Sequence, residues 1–159
     1  MASAPVRRLS KRKKAKKKPE RKRVDVLSFS NIVKGVVKDA KYEGYDVIAV
    51  IEKVGPMPTD GCVAAFAFGE AVGGLNTVLE LLGLKVLRIT PQVWKKYYGL
   101  IREKGEAKRD FKKESIAKAK EYCGLSDVKA DVAEAALLAL YTFNNLEKLT
   151  NGEYFVSGS

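Results

Sequence analysis

The chain has 159 residues, 46% of them hydrophobic, and a net charge of +11. That length and apolar content fit one globular domain with a substantial core. The sequence contains no histidine, which excludes Ser-His-Asp and Cys-His catalysis and histidine-containing zinc sites. The two cysteines are far apart without metal-ligand spacing, so we expect two buried free thiols in a reducing compartment. No apolar run reaches the length of a membrane span, and we expect no membrane partner.

The net charge is concentrated at the front of the chain. Residues 7–23 hold twelve Lys and Arg against one Glu, and the rest of the chain is neutral. Such a stretch repels itself and buries nothing, which predicts a basic disordered tail over 1–24 before a domain over 25–159. Nucleic-acid contact is our preferred role for it, with nuclear import and solubility as alternatives.

The first predicted helix covers residues 30–42, with Ser28 or Ser30 as its cap, and a strand follows at 47–51. Five consecutive apolar residues indicate a strand buried on both faces, as in a parallel sheet flanked by helices. Glu52 lies where that strand becomes loop, a position suited to chemistry in α/β sheets. The alternative is a solvated charge that ends the strand.

A long apolar helix is predicted over 62–82 and a second strand over 85–89. Ala65, Gly69 and Gly73 recur every four residues and give the helix one smooth stripe. We expect this stripe to pack on the sheet of the same subunit and also to form a homodimer seam.

Thr90-Pro91 predicts the start of a short helix that ends at Gly99, and another helix is expected over 110–122. Phe111, Ile116 and Ala119 are candidates for the inner face of the later helix. The stretch 92–120 holds ten basic and four acidic residues, so it is strongly basic within a neutral body. Interleaved aromatic and basic residues can stack on bases and hold phosphates, although Trp94 also suits a core position. The candidate DNA-binding residues are Lys53, Trp94, Lys95, Lys96, Lys112 and Lys113.

The last predicted helix begins near Asp131 and places Asp131 and Glu134 on one face of its first turn. A capping box would explain the same pair, with Asp131 as the cap. Together with Glu52, however, the pair suits two-metal phosphodiester hydrolysis with Mg²⁺, which prefers oxygen ligands. Three such carboxylates are expected to repel one another when no metal is bound.

Several motifs in this order closely resemble the RuvC-type Holliday-junction resolvases of the phage and plant-organelle branch, over about residues 24–143. The motifs are Glu52-Lys53-Val54-Gly55-Pro56-Met57-Pro58, Gly61, Phe66-Ala67-Phe68-Gly69, Gly73, Thr90-Pro91-Gln92-Val93-Trp94-Lys95-Lys96 and Ala130-Asp131-Val132-Ala133-Glu134-Ala135. The resemblance implies an RNase H-like fold, a homodimer and Mg²⁺-dependent nicking of four-way DNA junctions. Glu52, Asp131 and Glu134 would then be catalytic metal ligands. The family does not act on small-molecule substrates.

The sequence departs from the family pattern in two places. Bacterial members carry two aspartates on the last helix, whereas this chain has Glu134. The family also opens with a strand carrying Gly-Ile-Asp-Pro-Gly or a close variant, and its Asp bridges both metals. This sequence contains no such segment, so we expect an N-terminally truncated RNase H-like fold with two parallel strands and poor or absent hydrolysis.

Two other classes of function stay open. The chain could be a non-catalytic DNA- or RNA-binding relative, or a structural subunit of a larger nucleoprotein complex. The resemblance implies a chloroplast location, and the basic tail offers the nucleus as the alternative.

Overall fold

A computed structural model describes residues 23–57 and 59–150, and the prediction for the basic tail lies almost wholly outside them. Within these residues the chain is α/β, as predicted. Helices and strands alternate through the first half, and four helices follow. In chain order the elements are α1 (Val26–Tyr42), β1 (Ile48–Glu52), α2 (Cys62–Leu81), β2 (Lys85–Ile89), α3 (Pro91–Tyr97), α4 (Phe111–Cys123), α5 (Ala130–Asn144) and α6 (Leu146–Thr150).

The described residues contain one two-stranded parallel sheet, in register from Ile48 opposite Lys85 to Glu52 opposite Ile89. The crossover between the strands is the long helix α2. Every residue of β1 is only half-buried, so the prediction of a strand buried on both faces is wrong. The physical reason is that, among the described residues, β1 has a neighbouring strand on one edge only, while α5 packs against it. Glu52 is the last residue of β1, one position beyond the predicted end.

The hydrophobic core lies where α5 packs on the sheet and where α3, α4 and α6 pack against α5. Its centre is Trp94, whose side chain is 1% exposed, packed in one cluster with Leu87, Leu137 and Ala119. The predicted inner face of α4 is confirmed: Ala119 is fully buried, and Phe111 and Ile116 pack against the same cluster.

Capping side chains set the starts of two helices. Asp25 caps α1 by accepting a hydrogen bond from the Ser28 backbone N–H at 3.0 Å, which lowers the Asp25 pKa. The helix therefore begins four residues before the predicted start, and Ser28 lies inside it. Asp110 caps α4 in the same way, accepting from the Lys113 N–H at 3.3 Å. Thr90 and Pro91 open α3 as predicted, but this helix ends at Tyr97 rather than at Gly99.

Arg109 fixes the loop between α3 and α4. Its guanidinium pairs with Glu114, pairs with Glu106 Oε1 at 2.9 Å, and donates to the Gly99 carbonyl at 3.1 Å. The hydrogen bond with Glu114 is the main cause of a raised Arg109 pKa. The loop thereby joins the end of α3 to the first turn of α4.

Helices α1 and α2 form a pair that leaves much apolar surface uncovered. No residue of α1 is buried, and only Val78 and Leu79 of α2 are. Phe66, near the start of α2, is 72% exposed. Most of α2 therefore packs less closely on the sheet than predicted, and its buried residues lie near its carboxyl end.

The smooth stripe of α2 is open within the described chain. A Cβ added at Gly69 or Gly73 would meet nothing within 4 Å. The close approach lies instead at Gly74, where an added Cβ would be 3.1 Å from Val26 Cγ2 on α1. An alanine at Gly74 would therefore require the Val26 side chain to shift by a few tenths of an ångström.

Two further sequence-based statements need correction. Both cysteines are free, but neither is buried as predicted: Cys62 is exposed and Cys123 is half-buried. Among the described helices, α2 is long and apolar enough to cross a membrane by length and composition alone, so one apolar run does reach that length.

Tyr98, at the carboxyl end of α3, has a buried hydroxyl with no hydrogen-bond partner in the described part of the chain. Its ring packs at a right angle on Tyr97, with centroids 4.9 Å apart. Burial disfavours the phenolate and raises the Tyr98 pKa to about 12.

We predict that Tyr98→Phe flattens the loss of stability at alkaline pH. The folded pKa of about 12 exceeds the unfolded value of about 10, so the hydroxyl ionises first in the unfolded chain. Its contribution is constant below pH ~10 and is lost between pH ~10 and ~12. Removing an unpaired buried hydroxyl should also add about 1 kcal/mol at neutral pH. Urea unfolding from pH 7 to 11 measures both effects.

Tyr42→Phe is the matched control, because Tyr42 is 93% exposed and should change neither quantity. If Tyr98→Phe and the parent lose stability equally above pH 10, the hydroxyl is not buried in solution.

Candidate carboxylate site at the end of strand β1

The three carboxylates singled out in the sequence line one pocket of about 370 Å³. Glu52 enters it from the end of β1, and Asp131 and Glu134 enter from the first turns of α5. The other lining residues are Val50, Ile51, Trp94, Ala135 and Leu138. The fold thus brings together acidic side chains that are far apart in the sequence.

Glu52 is held by the core. The Trp94 indole Nε1–H donates to Glu52 Oε1 at 2.9 Å, and the Glu52 side chain is 30% exposed. The pairing of the strands explains this contact. Glu52 lies opposite Ile89, and α3 begins directly after β2, which carries Trp94 to the same end of the sheet. Glu52 is therefore a positioned carboxylate, and the alternative of a freely solvated charge does not apply.

Trp94 is a core residue in this structure. Its side chain is 1% exposed and it contributes to the hydrophobic cluster, so its ring faces cannot stack on a nucleic-acid base. The expectation that Trp94 binds DNA directly is corrected, and the core alternative is the one observed. Its indole N–H nevertheless contributes to the site by donating a hydrogen bond to Glu52.

Lys95 connects two of the three carboxylates. Its Nζ lies 3.2 Å from Glu134 Oε2 and 3.8 Å from Glu52 Oε1, and 5.1 Å from the centre of the Trp94 ring. These side chains are each about 30% exposed, so solvent screens the ion pairs only in part. The ammonium offsets the repulsion expected between Glu52 and Glu134, and it contacts carboxylates where a DNA contact was predicted.

Helix α5 begins two residues earlier than a capping box at Asp131 requires. Its N-cap is Lys129, without a side-chain capping bond, so Asp131 and Glu134 lie inside the helix. The capping alternative is therefore wrong. Glu134 Oε1 instead lies 3.5 Å from the Oγ of buried Ser115 on α4, although that hydroxyl is closer to the Phe111 carbonyl, at 2.8 Å.

Asp131 differs from the other two carboxylates. It is exposed, and the described residues give it no hydrogen bond or ion pair. Its position near the amino end of α5 favours a negative charge. Of the three carboxylates, Asp131 has the most freedom to turn toward a ligand.

The chemistry of these donors suits Mg²⁺, which prefers carboxylate oxygens and retained water. In this structure the three carboxylates are too far apart to coordinate one ion together. Within residues 23–57 and 59–150, no three His, Cys, Asp or Glu residues form a group that could hold a metal ion. The Lys95 ammonium contacts both Glu52 and Glu134. Binding of an ion therefore requires rearrangement of these side chains.

The remaining candidate DNA-binding residues are exposed. Lys53 follows β1, Lys96 lies on α3, and Lys112 and Lys113 lie in the first turn of α4. Lys113 also approaches Asp110 Oδ2, at 3.8 Å, in a solvent-exposed pair. All four are accessible to phosphate groups, but their present contacts do not identify a ligand.

Sequence reasoning missed the partners of the carboxylates. Lys95 directly follows Trp94 in the sequence, so it lies near Glu52 because Trp94 contacts Glu52. The sequence alone does not show that contact. Ser115 carried no signal, because the pairing of α4 with α5 cannot be read from either helix alone.

Comparison with protein-family models and with curated proteins finds no match to this chain. The functional argument therefore depends on the sequence motifs and on the geometry of the site.

We predict that Trp94 and Glu52 are energetically coupled. Trp94→Phe should lower the free energy of unfolding by about 2–4 kcal/mol, because it removes buried ring surface and a hydrogen bond to a carboxylate. Glu52→Ala should lower the free energy of unfolding by less. The loss in the double variant should be about 1 kcal/mol smaller than the sum of the two single-variant losses. Urea unfolding of the parent, both single variants and the double variant completes the cycle.

Glu70→Ala, an exposed change on α2, is the control and should show no coupling to Trp94→Phe. Additive losses for the Trp94 and Glu52 variants would mean that the indole does not hold the carboxylate in solution.

Proposed function

We propose that this chain is a relative of the RuvC-type Holliday-junction resolvases, with part of an RNase H-like fold, and that it acts on four-way DNA junctions. The single observation that carries the proposal is the meeting of Glu52, Asp131 and Glu134 in one pocket at the carboxyl end of β1. The motif resemblance assigns the same three residues as metal ligands. The two parallel strands and their flanking helices are compatible with that fold.

In this proposal, bound Mg²⁺ would activate a water molecule and stabilise the leaving oxygen of a phosphodiester. The three carboxylates are the candidate ligands. Trp94 would orient Glu52 through the 2.9 Å hydrogen bond, and the apolar lining from Val50 and Leu138 would limit water in the pocket. Lys53, Lys96, Lys112 and Lys113 would hold the DNA backbone, since lysine binds phosphate as a point charge.

A homodimer would suit a junction, because two symmetric strands have to be nicked. The uncovered apolar surface of α1 and α2 supports this part of the proposal, since monomeric proteins rarely expose large apolar patches. The open edge of β1 is a second surface that a partner could cover. Both features leave the choice of dimer seam to experiment.

Non-catalytic DNA binding is the second candidate, and specific observations favour it. The family's Gly-Ile-Asp-Pro-Gly segment does not occur in this sequence, and the described carboxylates do not form a closed metal-binding group. A chain that binds junctions without cutting them would keep the basic surface and the fold. Binding and cleavage therefore have to be measured separately.

We predict that the chain binds a synthetic four-way junction but nicks it slowly in Mg²⁺. A carboxylate that bridges two ions contributes charge neutralisation and spacing, each worth several kcal/mol to the transition state. Glu52→Gln should abolish the residual nicking and leave binding intact. Lys112→Ala with Lys113→Ala should weaken binding and flatten the log–log salt dependence by about 2. Fluorescence anisotropy and a gel-based nicking assay measure the two activities.

Lys34→Ala with Lys38→Ala, on exposed positions of α1, is the charge-matched control. Binding without nicking would favour the second candidate. Equal affinity for the junction and for a duplex of the same length would contradict junction recognition altogether.

A further inference from the structure

The Lys95 ammonium contacts two of the carboxylates that line the pocket. Its Nζ is 3.2 Å from Glu134 Oε2 and 3.8 Å from Glu52 Oε1, whereas its neighbour Lys96 is exposed on the same helix. We infer that Lys95 is an internal counter-ion that holds these carboxylates while no divalent ion is bound, and that a divalent ion must displace it. This inference rests on the metal site in the proposed function.

The charges around the pocket explain why a counter-ion is needed. Glu52, Asp131 and Glu134 face the pocket with three negative charges, while Val50, Leu138 and Trp94 supply apolar walls. Carboxylates that share such a space repel one another. The Lys95 ammonium lowers that repulsion and keeps Glu52 and Glu134 at a fixed separation.

Lys95 and Mg²⁺ compete for the negative charge of the same two carboxylates. Mg²⁺ binds oxygen at about 2.0–2.1 Å, closer than the ammonium now lies, and two cations on the same carboxylates repel each other. Lysine is a point charge on a flexible stem, and the Lys95 side chain is 29% exposed. The ammonium therefore has a short path to solvent, and its departure does not require movement of the backbone.

The exchange has a second consequence. An ammonium released from the carboxylates is free to contact a phosphate at the mouth of the pocket. Loading of the ion and exposure of a DNA contact would then be one event. Lys95 would act as a positioning residue in the metal-free chain and as a DNA-binding residue in the loaded one.

The test compares Lys95→Met with Lys96→Met in the full chain, using Mg²⁺ and Mn²⁺ as probes. Lys95→Met should lower the melting temperature without metal and bind Mg²⁺ about tenfold more tightly by calorimetry, a modest factor because solvent partly screens the pocket. Lys96→Met should match the parent in both measurements. Lys95→Arg, which keeps the charge, should restore the parent's melting temperature and bring the affinity back toward the parent's value.

A second measurement uses the unaltered chain, so it does not depend on the folding of a variant. Acetylation of Lys95 should be slow without metal and should accelerate when Mg²⁺ is added, while acetylation of Lys96 should not change. Mass spectrometry of tryptic peptides resolves the two sites.

The possible results separate the two proposals. If the parent binds Mg²⁺ and loses this binding in Glu52→Gln, but Lys95→Met binds no more tightly, the exchange is wrong and the metal site stands. If neither the parent nor Lys95→Met binds Mg²⁺, the proposed metal site is wrong and the exchange falls with it. Constant acetylation of Lys95 at saturating Mg²⁺ would also overturn the exchange.

Discussion

The hydrogen bond from Trp94 to Glu52 joins the hydrophobic core to the candidate site. Trp94 is the largest fully buried side chain among the described residues, so its indole N–H has few ways to reach an acceptor. A buried indole N–H without a partner would be unfavourable, and Glu52 supplies that partner at the end of β1. The same contact fixes the direction of the carboxylate. Stability of the core and position of the site are therefore linked.

The charge pattern of the site follows from the topology. Parallel strands end at the same edge of the sheet, so β1 delivers Glu52 where β2 passes into α3. Helix α5 packs against β1 and adds two more carboxylates there. The single positive charge of Lys95 on α3 then lies beside two of the three carboxylates, Glu52 and Glu134. In this arrangement the pocket attracts cations, while the lysines outside it attract phosphate.

The sequence predicted elements whose signals are local. The bounds of β2 and the start of α3 at Pro91 follow from short apolar and turn patterns. Predictions from the sequence were wrong where residues distant in the chain determine the structure. The burial of β1 depends on how many strands pair with it, and the surroundings of Trp94 depend on packing between helices. The predicted capping box at Asp131 is wrong because the helix begins earlier. Lys129 occupies the N-cap position, and its side chain forms no capping hydrogen bond. The three carboxylates could be named from the motif resemblance, but Lys95 between them could not.

The central claim is that Glu52, Asp131 and Glu134 form one cation-binding site. Mn²⁺ tests it most directly, because it shares the preference of Mg²⁺ for carboxylate oxygen and broadens nearby nuclear resonances. Amide signals should be recorded on the full chain during a titration with substoichiometric Mn²⁺. The amide signals of residues 50–53 and 131–135 should broaden first and together, and excess Mg²⁺ should reverse the effect. Broadening centred elsewhere, for example around the exposed Glu70 on α2, or confined to one of the two segments, would contradict it.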